Sequence, residues 1–374
     1  MFSSPKLENV KTFDDAPFLV IWEVTQACDL ACLHCRASAI PRRHPGELST
    51  EEGIQLLAEV RSFGKPLMVF TGGDPLKRPD LFVLLQESVT LGLRTTVTPS
   101  ATPLLTRRAV HEFAASGVAR MAISIDGIDP ATHDGFRGVP GSFERSLDAL
   151  RYARDLNLET QINTTVTRRN RQSLDRIAEL VSQLGAKLWS VFFLIATGRA
   201  SERDDLTAEE YEEVFALLYG MSKSAPFDIK TTEAQHYRRF VAQQRKKGGQ
   251  TENNASPVAS VIARQGGIND GKGLVFVSHT GEIFPSGFLP ISAGNVRHDS
   301  LADTYRHSPL FQKLRLPADF AGKCGACDYR NLCGGSRSRT FALTGDPFGS
   351  DPRCSHVPTN WSEVLSAPGT GANQ

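Results

Sequence analysis

Three cysteines near the start of the chain are spaced closely enough to bind one metal centre. Cys28, Cys32 and Cys35 follow a C-x3-C-x2-C pattern within eight residues. A tetrahedral zinc site needs a fourth ligand, whereas a 4Fe-4S cluster bound by three thiolates leaves one iron open to a small molecule. The spacing therefore favours an open, catalytic cluster, and a zinc loop that borrows a distant His or Asp is the alternative.

A second group of four cysteines near the end of the chain is large enough to complete a closed site. Cys324, Cys327, Cys333 and Cys354 follow a C-x2-C-x5-C-x20-C pattern. Spacing alone does not distinguish a structural zinc from an iron-sulfur cluster here. The two groups account for all seven cysteines, which favours metal binding because cysteines used for packing would be scattered singly.

The overall composition gives no electrostatic preference for a charged polymer. The 374 residues carry 42 basic and 41 acidic side chains, a formal charge of +1, so neither nucleic acid nor a membrane is expected as a partner. No stretch has the length and apolarity of a signal peptide or a membrane span. A cytoplasmic location is therefore expected. Thiols stay reduced there and are expected to serve as metal ligands or catalytic groups rather than to form disulfides.

The segments that must position these cysteines are predicted to form repeated strand-helix units. Ser49 and Glu52 predict a capping box at one helix start, and Thr207 and Glu210 predict another. Six short β-branched or aromatic runs predict core strands at 19–24, 67–71, 94–98, 119–125, 159–166 and 188–195. This alternation predicts an α/β fold built as a partial (β/α)6 TIM-like barrel with a small C-terminal iron-sulfur domain.

Four segments are expected along the chain. Residues 15–225 form the partial barrel, 226–270 connect it to the C-terminal part and contain a polar loop at 243–257, 271–364 form a small auxiliary domain, and 365–374 form a disordered tail. The auxiliary domain is expected to open on a hairpin that turns at Thr280 and Gly281.

Polar or glycine-rich residues recur at the ends of the predicted strands. In barrels of parallel strands, the active site lies at the face formed by the C-terminal strand ends. The polar or glycine residues at these ends are Gly72, Gly73, Asp74, Ser124, Asp126, Asn163 and Thr197. The structural interpretation of Asp126 is that its carboxylate ends a strand in a turn. Arg137, in the loop beyond it, is interpreted as a solvated or loop-bracing residue.

The first cysteine group and these strand ends together resemble the radical S-adenosylmethionine (radical SAM) superfamily. The resemblance implies that Cys28, Cys32 and Cys35 are catalytic-cluster ligands whose open iron binds S-adenosylmethionine. One electron then cleaves that cofactor to a 5'-deoxyadenosyl radical, which abstracts hydrogen from a substrate.

The same resemblance implies where the cofactor is contacted. Gly72 to Pro75 is similar to the Gly-Gly-Glu-Pro motif beside the methionine amino group, with Asp74 in place of Glu. Ser124 and Asp126 are implied to lie near the ribose or the methionine carboxylate, and Asn163 near the ribose. The stretch containing Leu194 and Thr197 is implied to contact the adenine.

The sequence around the second cysteine group resembles the auxiliary-cluster domain called SPASM or, when shortened, twitch. This resemblance implies a second 4Fe-4S cluster bound by Cys324, Cys327, Cys333 and Cys354. Ser286 stands where fuller members carry a further cysteine, so a single auxiliary cluster is expected.

Within the superfamily the chain is most similar to enzymes of modified-haem and alternative-haem biosynthesis, which implies a radical SAM oxidoreductase acting on tetrapyrrole side chains. Maturation of a ribosomally made peptide, forming thioether or carbon-carbon crosslinks, and a non-catalytic zinc-binding barrel scaffold are the alternatives. A small-molecule or peptide substrate and a reductant such as flavodoxin or ferredoxin are the expected partners. Arg238 and Arg239 are candidate anchors for an acidic substrate.

Overall fold

A single twisted sheet organises the residues that the computed structural model describes, which are 12–248, 267–359 and 361. Its order is β7-β6-β5-β4-β3-β2-β1-β8-β9, and every pairing is parallel except that of β8 with β9. The strands are β1 (Leu19–Glu23), β2 (Leu67–Thr71), β3 (Arg94–Val97), β4 (Arg120–Ser124), β5 (Glu159–Val166), β6 (Leu188–Phe193), β7 (Asp228–Thr232), β8 (Leu274–Val277) and β9 (Ile283–Phe284). The expected α/β partial barrel is confirmed.

Helices connect successive strands and cover the outside of the sheet. They are α1 (Thr50–Ser62), α2 (Leu81–Thr90), α3 (Arg107–Ala115), α4 (Pro130–Arg137), α5 (Ser142–Asp155), α6 (Leu174–Gln183), α7 (Ala208–Met221), α8 (His236–Lys247), α9 (Leu301–His307), α10 (Pro309–Leu314), α11 (Gly322–Ala326) and α12 (Arg337–Thr344). Both predicted capping boxes are present, at Ser49 of α1 and Thr207 of α7. In each box, two side chains accept hydrogen bonds from two backbone N–H groups that have no partner within the helix.

All six predicted strands are present, and a seventh extends the barrel. β7 pairs in parallel with β6 from Leu188 opposite Asp228 to Phe192 opposite Thr232. The sequence analysis missed it because its five residues, DIKTT, contain one apolar side chain. A strand with so little apolar character gives no core-strand signal.

The predicted hairpin is also present, but it belongs to the sheet of the barrel. β8 and β9 pair antiparallel, and Gly281 in their turn has a left-handed φ of 90°. β8 in turn pairs in parallel with β1, with Leu274 opposite Leu19. The hairpin therefore continues the barrel sheet, and the division of the chain at residue 271 stays a prediction.

The predicted polar loop at 243–257 is wrong over its first residues. Residues 243–247 form the last turns of α8, where Arg245, Lys246 and Lys247 complement the negative end of the helix dipole. The rest of that prediction from residue 249, and the tail predicted at 365–374, lie outside the described residues.

The apolar core lies between the sheet and the helices, whereas the inside of the barrel is hollow. Trp22, Phe70 and Trp189 are fully buried in the outer core. The alternate side chains, which face the barrel interior, include the small or polar residues Ala122 and Ser190 and leave a cavity of about 330 Å³. A TIM barrel normally fills this space with packed side chains, so the interior has room for a ligand.

None of the helices in the described part of the chain has the length and apolar character needed to cross a bilayer.

Candidate functional site

The first three cysteines lie in one loop after β1 and share one cavity. The backbone N–H of Cys28 donates to Ile40 O at 2.8 Å, which closes the loop at its base. Cys28 and Cys32 are buried, Cys35 is half-buried, and all three line a cavity of about 210 Å³ at the C-terminal strand ends. The structure thus brings the predicted ligands together at the expected face of the barrel.

The loop after β2 packs directly against the cysteine loop. Gly73 N donates to Thr25 O at 2.8 Å, and Asp74 N donates to Ala27 O at 2.6 Å. A Cβ on Gly73 would stand 2.6 Å from Gln26 O and closer still to Ala27 O. Glycine is therefore required there by backbone packing against the cysteine loop.

The loop after β6 holds the cysteine loop from the other side. Gly198 has a left-handed φ of 61°, and a Cβ there would collide with the carbonyl oxygens of Cys35 and Arg36. Arg199 donates from its backbone N–H to Cys35 O and from Nε to Cys32 O, both at 3.0 Å. These contacts fix two of the cysteines relative to the barrel.

A buried ion pair connects the cysteine loop to β4 and β5. Arg137 Nε donates to Asp126 at 2.7 Å, Thr165 N donates to the same carboxylate at 2.7 Å, and Arg137 Nη1 lies 3.8 Å from Cys32 Sγ. Burial alone would raise the pKa of Asp126, but the charge of Arg137 holds it below its usual range. Asp126 stays ionised and orients Arg137, which braces the loop as one sequence interpretation expected.

Asp74 has a comparable bracing position behind the loop after β2. Its carboxylate accepts from Thr102 Oγ1 at 2.7 Å and from the N–H groups of Leu76 at 3.1 Å and Ser100 at 3.3 Å. Burial raises the pKa of Asp74 to about 6. The carboxylate is fully buried, so its observed contacts are with the protein.

The predicted cofactor-contacting residues divide into two sets. Those that line the cavity with the cysteines are Gly72, Gly73, Ser124, Asn163 and Leu194. Those outside its lining are Asp74, Pro75, Asp126 and Thr197. A contact of either set with the cofactor stays a prediction.

Several cavity residues were not among the predicted ones. Ser100 Oγ donates to Gly73 O at 2.7 Å and lies 3.6 Å from Cys28 Sγ. His34 stacks on Phe136 with ring centroids 4.2 Å apart, and burial lowers its pKa to about 3. The position of Ser100 directly after the third predicted strand was the signal that could have identified it.

The four cysteines of the second group line one small cavity of about 20 Å³. Backbone N–H groups point at three of the sulfurs, from Asp351 to Cys324 at 3.3 Å, from Tyr329 to Cys327 at 3.4 Å and from Gly335 to Cys333 at 3.3 Å. Arg337 Nη2 also lies 3.3 Å from Cys324 Sγ. Hydrogen bonds to sulfur stabilise thiolates and tune iron-sulfur clusters.

At each site, burial favours the neutral form of a thiol. Burial raises the pKa of Cys28 to about 11, in spite of the hydrogen bond from Leu30 N and the nearby hydroxyl of Ser100. Burial likewise raises the pKa of Cys354 to about 11. Thiolates at these positions therefore need a bound metal to replace their protons.

The number of thiolates at each site fits a four-iron cluster, which bonds each thiolate to a different iron. The three thiolates that line the first cavity fit a cluster with one open iron, and the four that line the second fit a cluster in which every iron has a protein ligand.

The hollow interior of the barrel adjoins the first cysteine cavity. Five residues line both spaces, namely Arg36, Thr71, Asn163, Phe192 and Phe288. Ser286, by contrast, faces the barrel interior and not the second cysteine cavity. Arg239 lies at the second cysteine cavity and pairs with Glu212, so it is not in the barrel interior.

Comparison with known proteins agrees with this architecture. Residues 22–181 match the radical SAM superfamily. The chain is 40% identical over 363 residues to the AdoMet-dependent heme synthase of Nitratidesulfovibrio vulgaris, covering 96% of this chain and 98% of that protein. It is also 40% identical over 344 residues to the AdoMet-dependent heme synthase of Methanosarcina barkeri, covering 92% and 98%.

A solved structure supports the fold. The crystal structure of Streptococcus suis SuiB bound to S-adenosylmethionine superposes with a TM-score of 0.71 at 18% identity, covering 91% of this chain and 78% of SuiB. Similarity at this identity concerns the fold alone. Together with the two full-length relatives and the cysteine loop at the strand ends, it establishes that the chain is an enzyme of the radical SAM superfamily.

Proposed function

We propose that this enzyme modifies the side chains of a haem-like tetrapyrrole. The observation that carries the proposal is 40% identity, over almost the whole of both chains, to two proteins that are each named AdoMet-dependent heme synthase. The hollow barrel interior beside the first cysteine cavity supplies a space of about 330 Å³ for the substrate, within the usual range of ligand pockets.

The first site holds the catalytic cofactors in this proposal. Cys28, Cys32 and Cys35 hold a 4Fe-4S cluster, and the polar cavity lining that includes Ser124 and Asn163 binds S-adenosylmethionine. When bound, these groups supply the one-electron chemistry that removes a hydrogen atom from a substrate carbon.

The protein residues around this site orient the reactants and exclude water. The glycine loops and the Asp126–Arg137 pair fix the cysteine loop, which sets the distance between the cofactor and the substrate. Leu30, Phe192 and Phe288 contribute apolar surface to the cavity and protect a reactive carbon centre from solvent.

The second site holds a 4Fe-4S cluster in which each iron has a cysteine ligand. Cys324, Cys327, Cys333 and Cys354 supply four thiolates, one for each iron, around the cavity that they share. A reductant such as flavodoxin or ferredoxin delivers electrons to the enzyme. A cytoplasmic location, where thiols stay reduced, fits seven cysteines that are all free.

The proposal is tested with anaerobically purified enzyme, S-adenosylmethionine and a chemical reductant. The enzyme is incubated with iron coproporphyrin III in one arm and with candidate precursor peptides in another. Formation of 5'-deoxyadenosine together with a mass loss from the tetrapyrrole supports the proposal. A crosslinked peptide with an unchanged tetrapyrrole would favour peptide maturation, and a colourless protein that holds only zinc would favour the scaffold.

A further inference from the structure

An excess of positive charge lines the hollow barrel interior. Arg94 and Arg120 begin β3 and β4, Lys230 lies in β7, and Arg238 lies in the first turn of α8; all four line the same cavity. Arg94 and Arg120 share a single carboxylate, that of Glu159, at 3.4 Å and 3.0 Å. Four cations thus face this space, and two of them share one carboxylate.

Lys230 has no acidic partner among the residues that the structure describes. The Lys230 side chain points into the barrel, since Lys230 and Ser190, its partner in β6, line the same cavity. Although solvent in the cavity reaches the Lys230 side chain, its enclosure by the barrel lowers its pKa, and the nearby charges of Arg238 and Arg120 lower it further.

Arg238 has no carboxylate partner among the described residues. It donates to Ile268 O and, at 3.3 Å, to Leu332 O, and the acidic group that acts on its pKa is Cys333 of the second cysteine site. Burial lowers the pKa of Arg238 as well. An ammonium and a guanidinium that face one cavity with no carboxylate between them repel each other, and an anion that enters the cavity pairs with both.

The acidic residues that also line this cavity do not neutralise the two cations. Asp270 accepts hydrogen bonds from Ser338, from its N–H at 2.9 Å and its hydroxyl at 3.0 Å. Glu233 accepts from Ser336 Oγ at 2.7 Å, and burial followed by the charge of Asp270 raises its pKa to about 8, which leaves it largely protonated at neutral pH.

The register of the sheet places Lys230 within reach of the reaction site. Lys230 is opposite Ser190, and Ser190 is opposite Asn163, which lines both the barrel interior and the first cysteine cavity. Two strand spacings separate Lys230 from Asn163, roughly 10 Å. A ligand held at Lys230 therefore extends toward the first cysteine site.

We propose that Lys230 and Arg238, with Arg120 beside them, form an anchor for the carboxylate groups of the substrate inside the barrel. This inference rests on the proposed function, and it specifies that the tetrapyrrole binds through its acidic side chains. Charged pairing in such an enclosed site is both strong and directional. The anchor fixes one edge of the macrocycle and leaves another edge at the first cysteine cavity.

The test compares ligands with and without carboxylates on the complete enzyme carrying its clusters. Iron coproporphyrin III and its tetramethyl ester are titrated anaerobically in the same detergent, with binding followed by tetrapyrrole absorbance. The variants are Lys230→Met, which removes the charge, and Lys230→Arg, which keeps it. Lys272→Met is the matched control, because burial and the charge of Arg238 also lower the pKa of Lys272, yet Lys272 does not line the cavity.

We expect Lys230→Met to bind the free acid roughly ten- to hundredfold more weakly and to bind the ester as the unaltered enzyme does. Lys230→Arg and Lys272→Met retain the preference for the acid.

The possible failures are distinguishable. Equal affinity of Lys230→Met and unaltered enzyme for the free acid would overturn the anchor while leaving the tetrapyrrole proposal in place. Unaltered enzyme that binds neither ligand would overturn the proposed function and the anchor with it.

Discussion

The three cysteines of the first site line a cavity of about 210 Å³, whereas the four cysteines of the second line one of about 20 Å³. Hydrogen bonding does not separate the two sites, because N–H groups point at sulfur in both, from Leu30 to Cys28 at 3.3 Å as well as from Gly335 to Cys333 at 3.3 Å. The difference lies in the number of thiolates and in the space beside them.

This contrast relates ligand count to chemical role. Three thiolates leave a four-iron cluster with a free position for a cofactor, and four thiolates leave none. Buried charge supports both sites, through Arg137 and Asp126 at the first and through Arg339 and Asp351 at the second. The sites thus share their supporting chemistry and differ in the number of thiolates and in the volume of the cavity beside them.

The largest expected effect comes from removing one cysteine at each site. Cys35→Ala abolishes cleavage of S-adenosylmethionine, whereas Cys333→Ala removes only the cluster of the second site. Each variant retains about four irons per chain, against about eight in the unaltered enzyme. Iron content and 5'-deoxyadenosine formation are measured in the same samples. A Cys333→Ala variant that keeps all eight irons and yet cleaves no S-adenosylmethionine would contradict the assignment of separate roles to the two sites.

The next effect concerns the ion pairs behind the sites. Arg137→Met and Arg339→Met each leave a buried carboxylate without its partner and lower the free energy of unfolding by about 3–5 kcal/mol. Only Arg137→Met also weakens S-adenosylmethionine binding, because only Arg137 lines the open cavity. Anaerobic urea denaturation and cofactor titration measure the two effects. Arg108→Met, in an exposed ion pair with Glu112, is the control and leaves both unchanged.

A pH effect of intermediate size distinguishes the buried carboxylates. The pKa of Asp74 rises from its model-compound value of 3.8 to about 6, so stability present below pH 3.8 is lost as the pH rises through 6. Asp74→Asn removes this dependence, so the difference in free energy of unfolding between the variant and the unaltered enzyme shifts in favour of the variant by about 2 kcal/mol between pH 4 and pH 7.

Asp351 at the second site behaves with the opposite sign. Burial alone would raise its pKa, but Arg339 and further partners lower it to about 2, so its stabilisation is present above pH 3.8 and is lost as the pH falls through 2. Urea midpoints measured across this range check both signs. Parallel pH profiles for Asp74→Asn and the unaltered enzyme would contradict the assignment at Asp74.

The smallest effect concerns the packing of the glycine loop. Gly73→Ala forces a Cβ against the carbonyls of the cysteine loop and lowers the free energy of unfolding by about 1–3 kcal/mol. It also displaces the first site and lowers its cluster content, while the second cluster is unaffected. Gly135→Ala is the control, because Gly135 lies in α4 with open space around it, and it is neutral or slightly stabilising. Equal cluster content in both variants would show that Gly73 has no such role.

Much of the barrel followed from local sequence patterns. The six core strands and the caps at Ser49 and Thr207 were predictable because apolar runs and capping side chains act within a few residues. β7 was not, because its neighbours in the sheet, and not its own composition, make it a strand. The end of α8 was likewise misread as a loop, since polar residues at a helix end resemble a loop in sequence.

The candidate site divides along the same line. The cysteine groups were recognisable because ligands of one metal centre lie close together in the chain. Lys230 was not recognisable as a cavity residue, since its role depends on which face of β7 turns inward. The predicted anchor pair separated for the same reason, with Arg238 in the barrel interior and Arg239 at the second cysteine site.

The sequence by itself determined the number and grouping of the thiolates, the repeated strand-helix units and the glycines that follow the strands. Only the tertiary structure decided that β8 joins β1, that the barrel interior is hollow, and that unpaired cations face it. The physical reason is range, because spacing and capping are local, whereas burial, charge pairing and enclosed space depend on residues brought together from distant parts of the chain.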